Sequence, residues 1–338
     1  MPYLCKGVSA VDELRNKKIL ISGGAGFIGT ALAERLAEHN EITLADINLE
    51  HNSFKFSRVL NKGCVRLAKV DVLNMDEVIR LVSQAQIVIH TAAVLGVRKV
   101  IHNALSTLEV NLMGTSNILK AASQNSNCER VLFFSTSEVF GGNAYRVNEG
   151  GGAVFRPIED PRWCYSISKL AGEHLAFGYF REQGLPVVVV RPFNVFGPGR
   201  IGDYVILRFI MKALKDEDLE VYGDGTQIRA WCYIDDFCDA LTMCLATKEA
   251  VGQAFNIGNP RNVISNYELA KMIRSICGSE SRIVFKSVDF TDIDIRVPDI
   301  SKAKDILGYV PEVELEEGLS RTIAWVKNSY DRLPVHQY

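Results

Sequence analysis

The stretch KKILISGGAGFIGTAL (Lys17–Leu32) decides how this chain folds. Its first part, KKILIS, is a short apolar run of strand length. Its last part opens the helical pattern FIGTALAERLAEH, and a glycine-rich turn joins the two. Gly24, Gly26 and Gly29 fit GxGxxG, while Gly23, Gly26 and Gly29 fit GxxGxxG. Missing side chains allow a tight turn, close helix-strand packing and approach of the backbone to a phosphate. The helix N-terminus then faces the phosphate charge.

Outward from this unit, strand-like runs recur in EITLAD, CVRLAKVD, QIVIHTAA and RVLFFSTS, with helical stretches between them, notably Leu108 to Ser123. Short apolar strands alternating with helices predict a Rossmann-like doubly wound parallel sheet, covered on both faces. LPVVVVRPFNVFGP reads as a later, fully buried strand. After Pro198 the texture changes to helical VILRFIMKALKD, the turn YGDGTQ, strand-like GQAFNIG and the Ser- or Asn-capped SNYELAKMIRSICG. The expected division is an extension over residues 1–17, a Rossmann domain over 18–198 with chain returning from roughly 230–262, and a smaller C-terminal α/β substrate lobe over 199–338. Ligands in such folds bind outside the carboxyl ends of the strands, here in a cleft between the lobes.

Composition removes several function classes. At 338 residues, with 47% apolar and 23% charged residues, the chain suits a large folded core. A net charge of -2 gives no basic field for nucleic acid or an anionic membrane. No run has the length of a membrane-spanning helix, and the start lacks a signal-peptide core. The eight cysteines form no CxxC pair and no zinc-like set with histidine, so reduced thiols, a cytoplasmic protein and no metal are expected.

Asp46, at the end of the second strand-like run, stands roughly 20 residues past the glycines. An acid there binds adenosine ribose hydroxyls and repels a 2′-phosphate, and the following INLEHN offers no arginine. NAD is therefore expected over NADP. Tyr165 and Lys169, in PRWCYSISK, share one helix face. A lysine ammonium and a positive nicotinamide would favour phenolate at Tyr165, making the tyrosine a base.

With the hydroxyl cluster and Glu138 of VLFFSTSEVFGG, these motifs resemble the extended short-chain dehydrogenase/reductase family of nucleotide-sugar epimerases, dehydratases and decarboxylases. The resemblance runs over about residues 17 to 328 through GGAGFIG, VIHTAA, VNLMGTSNIL, STSEVFG, YSISK, RPFNVFGP, YGDGTQIRAW and PDISKAKDILGYVP. It implies that Asp71 and Val72 hold adenine and that Ala92, Ala93 and Val94 line the cofactor channel. Phe27, Ile28, Asn111 and Pro192 are the further cofactor candidates, beside Tyr165 and Lys169. It places Thr136 at the sugar O4 and Asn194 and Arg229 at the substrate diphosphate, with Ser137, Arg162 and Asp292 as further substrate contacts. The implied first step is proton transfer from the sugar 4-hydroxyl to Tyr165 as C4 hydride moves to a retained NAD.

Three fates of the 4-ketone remain: epimerisation, dehydration and, for a uronate, decarboxylation. Glu138 speaks against the simplest epimerase. PRWCYSISK, the alanine after Arg229 and Arg296 in DIDIRVPDISKAK resemble UDP-glucuronate decarboxylases, in which an arginine works with the glutamate at the sugar carboxylate. Ile293, Phe140 and the short GPGRIGDYVILRFI loop depart from that pattern. The expectation is UDP-glucuronate decarboxylation to UDP-xylose or its 4-keto precursor. A UDP-uronate or UDP-hexose 4-epimerase, a dehydratase and a non-catalytic NAD sensor compete with it. The resemblance also implies a homodimer through the helices near Leu108–Ser123 and Tyr165–Arg181.

Overall fold

The computed structural model describes residues 14–333, apart from 50–55, 57–58, 62–63, 156, 158, 289 and 291. The first apolar run forms β1 (Lys18–Ser22), followed by the helix Phe27–Leu36. Then come β2 (Glu41–Asp46), β3 (Val65–Lys69), β4 (Ile87–His90), β5 (Arg130–Phe134) and β6 (Asn143–Val147). The second half supplies β7 (Val187–Pro192), β8 (Val195–Phe196), β9 (Leu219–Tyr222), β10 (Ile228–Ala230), β11 (Cys232–Tyr233), β12 (Gln253–Ile257), β13 (Val263–Ser265), β14 (Ile283–Lys286) and β15 (Ile295–Pro298).

The central sheet has seven strands in the order β12-β7-β5-β4-β1-β2-β3, and every pairing is parallel. The chain winds outward one way through β2 and β3, then returns to β4 and winds the other way. The reversal lies between β1 and β4, where two crossovers leave in opposite directions and open a crevice at the strand ends. The central strands carry apolar side chains on both faces because helices cover both. Val187 to Val190 are each 0% exposed, as the continuous valine run predicts. Edge strand β3 is only half-buried.

The helix Ile234–Ala246 and strand β12 return the chain to this sheet after the substrate-lobe residues have begun. A second sheet, ordered β13-β10-β15-β6, is built mainly from later residues, but β6 comes from the first half. Sequence position therefore divides the lobes less cleanly than the sheets do. Of the expected 1–17 extension, residues 1–13 lie outside the described residues, while Leu14 is buried in the core. The helix expected from Leu108 begins earlier, at Ala104, and ends at Ser123. Ser265 caps its helix as its side chain suggests, accepting from the Glu268 amide at 3.2 Å.

Candidate active site

A cleft of about 1440 Å³ follows the carboxyl ends of β1, β2, β4 and β5 and continues between the two sheets. Gly23 at its floor has φ +74°, and a Cβ there would sit 2.5 Å from the Ala92 amide nitrogen. Gly29 lets its helix approach the loop, since a Cβ would meet the Gly23 carbonyl oxygen at 2.9 Å. Gly26 precedes the helix with no side-chain cap, which leaves the first-turn amides open to an anion. Asp46 accepts from the Ala25 amide at 3.1 Å and the Asn48 amide at 3.0 Å, so it braces the loop while facing the cleft.

Asp71, Val72, Ala92, Ala93, Val94 and Pro192 line the same channel with Phe27 and Ile28. This backbone-rich trough, with an acid at the end of β2 and an uncapped helix start, fits a dinucleotide. Asn111 stands apart: it is 0% exposed and outside the cleft wall. Its amide is spent on Val94, accepting from the Val94 nitrogen at 2.7 Å and donating to the Val94 oxygen at 3.1 Å. A further bond from its amide to the Ser168 hydroxyl at 3.1 Å sets it behind the channel wall, one layer from the lining residues.

At the other end, β5 delivers the hydroxyl cluster and a short 3-10 turn, Ser137–Phe140, carries Glu138. Thr136 caps that turn, accepting from the Glu138 amide at 3.2 Å, and borders the cleft with Tyr165, whose phenolate its hydroxyl favours. Tyr165 and Lys169 lie on one face of the helix Cys164–Gln183 and both border the cleft. Lys169 donates to the Phe134 carbonyl at 2.7 Å, and burial pushes its pKa down to about 7. Burial pushes the Tyr165 phenol up, the Glu138 charge adds to that, and Thr136 and Arg162 oppose it. The protein alone thus does not make the phenolate that the Tyr-Lys spacing suggested. A desolvated lysine near neutrality is a weaker cation than its spacing implies.

Glu138 meets Arg162 at 2.6 Å and accepts from the Ser166 hydroxyl at 3.2 Å. Burial raises the carboxyl, but the Arg162 charge and hydrogen bond, with Arg296 behind them, hold it below its ordinary value. Arg296 was the expected partner. Its outer nitrogens instead donate to the Ser137 and Gly141 carbonyls, both at 2.8 Å, stapling the turn. Arg296 acts on Glu138 through its charge alone, whereas Arg162 touches it directly, because the Pro161–Trp163 turn lies directly before the tyrosine helix. Arg229 faces Asp292 at 3.2 Å, and Asn194, in the left-handed region at φ +39°, donates to the Ala230 carbonyl at 3.1 Å. Ser137 lines the wall beside them.

Arg200 and Tyr204 were not singled out in the sequence. Arg200 stacks 3.7 Å from the Tyr204 ring centre and lies 5.5 Å from that of Phe27, bridging the glycine loop and the substrate lobe. No spacing rule marks them; a cation in a glycine-rich loop after a buried strand was the available signal. Beyond Asn194 and Arg229 a side cavity of about 270 Å³ opens, lined by Tyr222, Trp231 and Phe290 among others.

The model of the NAD dependent epimerase/dehydratase family matches residues 19–258, which span the glycine loop, the hydroxyl cluster, the Tyr-Lys helix and β12. The chain belongs to this family. It is an NAD-dependent enzyme of the epimerase, dehydratase and decarboxylase class. It is similar to a UDP-N-acetyl-alpha-D-glucosaminuronate decarboxylase of Bacillus cytotoxicus, 37% identical over 92% of this chain and 98% of that protein. It is 34% identical to a UDP-glucuronic acid decarboxylase 1 of Xenopus tropicalis, over 98% of this chain and 77% of that one. Among solved structures, a UDP-glucuronic acid 4-epimerase of Bacillus cereus, in complex with UDP-glucuronic acid and NAD, superposes with a TM-score of 0.84. That pair is 30% identical, covering 93% of this chain and 100% of the other.

Proposed function

We propose that the protein decarboxylates a UDP-linked uronate, with UDP-glucuronate as the leading substrate and UDP-xylose or the UDP-4-keto-pentose as product. The observation that carries this is Glu138, held ionised by Arg162 beside the Tyr165 and Thr136 hydroxyls. Four guanidinium groups, Arg162, Arg200, Arg229 and Arg296, border the substrate end of the cleft with three carboxylates, Glu138, Asp203 and Asp292. That leaves positive charge for a substrate bearing a diphosphate and a carboxylate.

NAD, held along the channel of Asp46, Asp71 and the glycine-loop amides, would supply the acceptor for the C4 hydride and the donor that returns it. Tyr165 takes the O4 proton, and Thr136 holds that oxygen. The resulting β-keto acid breaks its C5–C6 bond, and the electron pair moves into the C4 carbonyl as an enolate while carbon dioxide leaves. The Tyr165 and Thr136 hydroxyls hydrogen-bond the enolate oxygen. Arg162 orients the departing carboxylate, Glu138 guides the proton returning to C5, and Arg296 fixes the turn that carries Glu138. Asp46 and Asp71 hold the adenosine end, the glycine-loop amides hold the pyrophosphate, and Arg229, Asn194 and Asp292 hold the UDP portion.

The relatives named above support the reaction class, and the 4-epimerase keeps a second outcome in play. On this reading, residues 18–198 with 230–262 bind cofactor and most of 199–338 bind substrate. A cytoplasmic homodimer is proposed too, joined where the helices Ala104–Ser123 and Cys164–Gln183 expose Leu105, Met113 and Ile167. Purified protein incubated with UDP-glucuronate, UDP-N-acetylglucosaminuronate and neutral UDP-hexoses, followed by mass spectrometry, tests the proposal. Carbon dioxide release from a uronate supports it. A product of unchanged mass means epimerisation, and loss of water means dehydration; either result sinks the decarboxylase reading.

A further inference from the structure

Behind the cleft lies a second carboxylate-guanidinium pair with no part in the chemistry above. Glu173 and Arg191 are 3% and 8% exposed, and neither borders the cleft. Arg191 grips Glu173 with two nitrogens, at 2.8 and 2.6 Å, and Ser135 donates its hydroxyl to the same carboxylate. Glu173 stands one helical turn past Lys169 and two past Tyr165, on the same face. Ser135 directly precedes Thr136. The third Arg191 nitrogen donates to the Glu149 carbonyl at 2.9 Å, and the Phe140 ring packs 4.9 Å from the guanidinium carbon.

A buried ion pair is weak evidence for stability, since apolar side chains of similar volume hold a helix to a sheet as well. What this pair adds is direction. Glu173 accepts three donors from fixed angles, tying the tyrosine helix to β5 through Ser135 and to β7 through Arg191. The strand end is tied at neighbouring points too, by Lys169 on the Phe134 carbonyl and by the Ser135 amide on the Val190 carbonyl at 2.8 Å. Thr136, which borders the cleft together with Tyr165, is the next residue along.

We propose that Glu173, clamped by Arg191, is a positioning residue for the C4 oxidation: through Ser135 it fixes Thr136 against Tyr165. The inference rests on the reading of Tyr165 as the base, but not on the fate of the ketone, because every branch of the family chemistry starts with that step. The groups facing Tyr165 are Thr136 and Glu138 from the strand end, Arg162 from the preceding turn, Arg200 and Tyr204 from the loop after β8, and Lys169 on its own helix. Of these, Thr136, Arg162 and Arg200 favour the phenolate, and only Thr136 is held through Ser135. Loosening it leaves the phenol higher, so the pH at which activity appears moves upward.

The test compares wild type with Ser135→Ala, Glu173→Gln and the double variant, each NAD-loaded, using whichever nucleotide sugar the enzyme converts. Expected for each is a fall in kcat of about ten- to hundredfold with KM changed by less than about threefold. The pH of half-maximal kcat should move upward by about half a unit or more. The double variant should lose little beyond Glu173→Gln, because both act through one link. Thermal unfolding run in parallel separates the alternatives. Lower melting temperatures with unchanged kcat and pH midpoint would overturn the proposal and leave the pair structural. Ser135→Ala keeps the test alive if Glu173→Gln does not fold. Ultraviolet titration of tyrosinate in NAD-loaded protein, with Tyr165→Phe as blank, needs no substrate. If wild type converts no nucleotide sugar, the function proposed above fails while this titration still decides the role of Glu173.

Discussion

The two ends of the cleft are made of different material. The cofactor end is backbone: a glycine turn, uncapped amides, and aspartates at the ends of consecutive segments of chain. Its parts lie close in sequence, because each is the carboxyl end of one strand in a regularly wound sheet. The substrate end is side chain: Glu138, Arg162, Tyr165, Asn194, Arg200, Arg229, Asp292 and Arg296, brought from both sheets. A backbone-built site is written in spacing, whereas a side-chain-built site is written only in the finished fold. The substrate end should therefore show the larger responses to single substitutions in rate, and the cofactor end the larger responses in binding.

The largest expected effect sharpens that contrast. Tyr165→Phe removes the hydroxyl proposed to take the O4 proton, and kcat should fall by about 10³-fold, within the usual reach of acid-base groups. NAD affinity should hold nearly constant, as read by calorimetry, since the channel walls are backbone and aliphatic. A matching fall in NAD affinity would mean that the two ends are not separable.

Next in size is Glu138→Gln. The substitution keeps the shape, removes the charge that pairs with Arg162, and should cut carbon dioxide release by about 10²-fold. C4 oxidation should suffer less, so single-turnover NADH absorbance should persist while product does not form. Equal loss of both would move Glu138 from the second step to the first. The same substitution should lower the melting temperature more near pH 7 than near pH 4. Glu138 has a lowered folded pKa, so its stabilising contribution is present above the ordinary carboxylate value and fades as pH falls through the folded one.

These substitutions also mark where sequence reading ran out. The parallel sheet was legible because β1, β4, β5 and β7 are unbroken apolar runs, the signature of strands covered on both faces. Tyr165 and Lys169 were legible because one helix sets their distance. The partner of Glu138 was not, since Arg162 is 24 residues away and Arg296 is 158, and nothing linear ranks them. Arg296 turned out to be consumed by two carbonyls, a fact that needs the turn to exist first. Arg200 was missed for the same reason. Spacing reports the lysine one turn from Tyr165 but not the burial that raises the phenol in the cofactor-free chain.

A smaller effect is expected at the cofactor end. Asp46→Ala takes away a carboxylate that accepts two backbone amides, and NAD binding should weaken about tenfold, the usual worth of a charged hydrogen bond. The turnover rate at saturating NAD should change little. A collapse in kcat at saturation would show that the loop braced by Asp46 also places the nicotinamide.

The smallest effect tests the residue that belongs to both ends. Lys169 borders the channel and stands one turn from the base, and burial lowers its pKa from 10.5 to about 7. Between those values the unfolded chain binds a proton that the folded chain lacks, so this lysine makes stability rise with pH across that window. Below pH 7 both states hold the proton, and the folded state bears the full cost of a buried ammonium. Lys169→Met removes the titration and the hydrogen bond to Phe134 together, so the sign of its net effect is not the test; the pH dependence is. Relative to wild type, the cofactor-free variant should be at its best below about pH 7 and lose ground steadily toward about pH 10. A difference in melting temperature that stays flat over that range would mean that Lys169 remains an ammonium in the folded chain. In that case the cation beside Tyr165 is permanent, and the substrate end carries its own means of favouring phenolate before the cofactor end contributes anything.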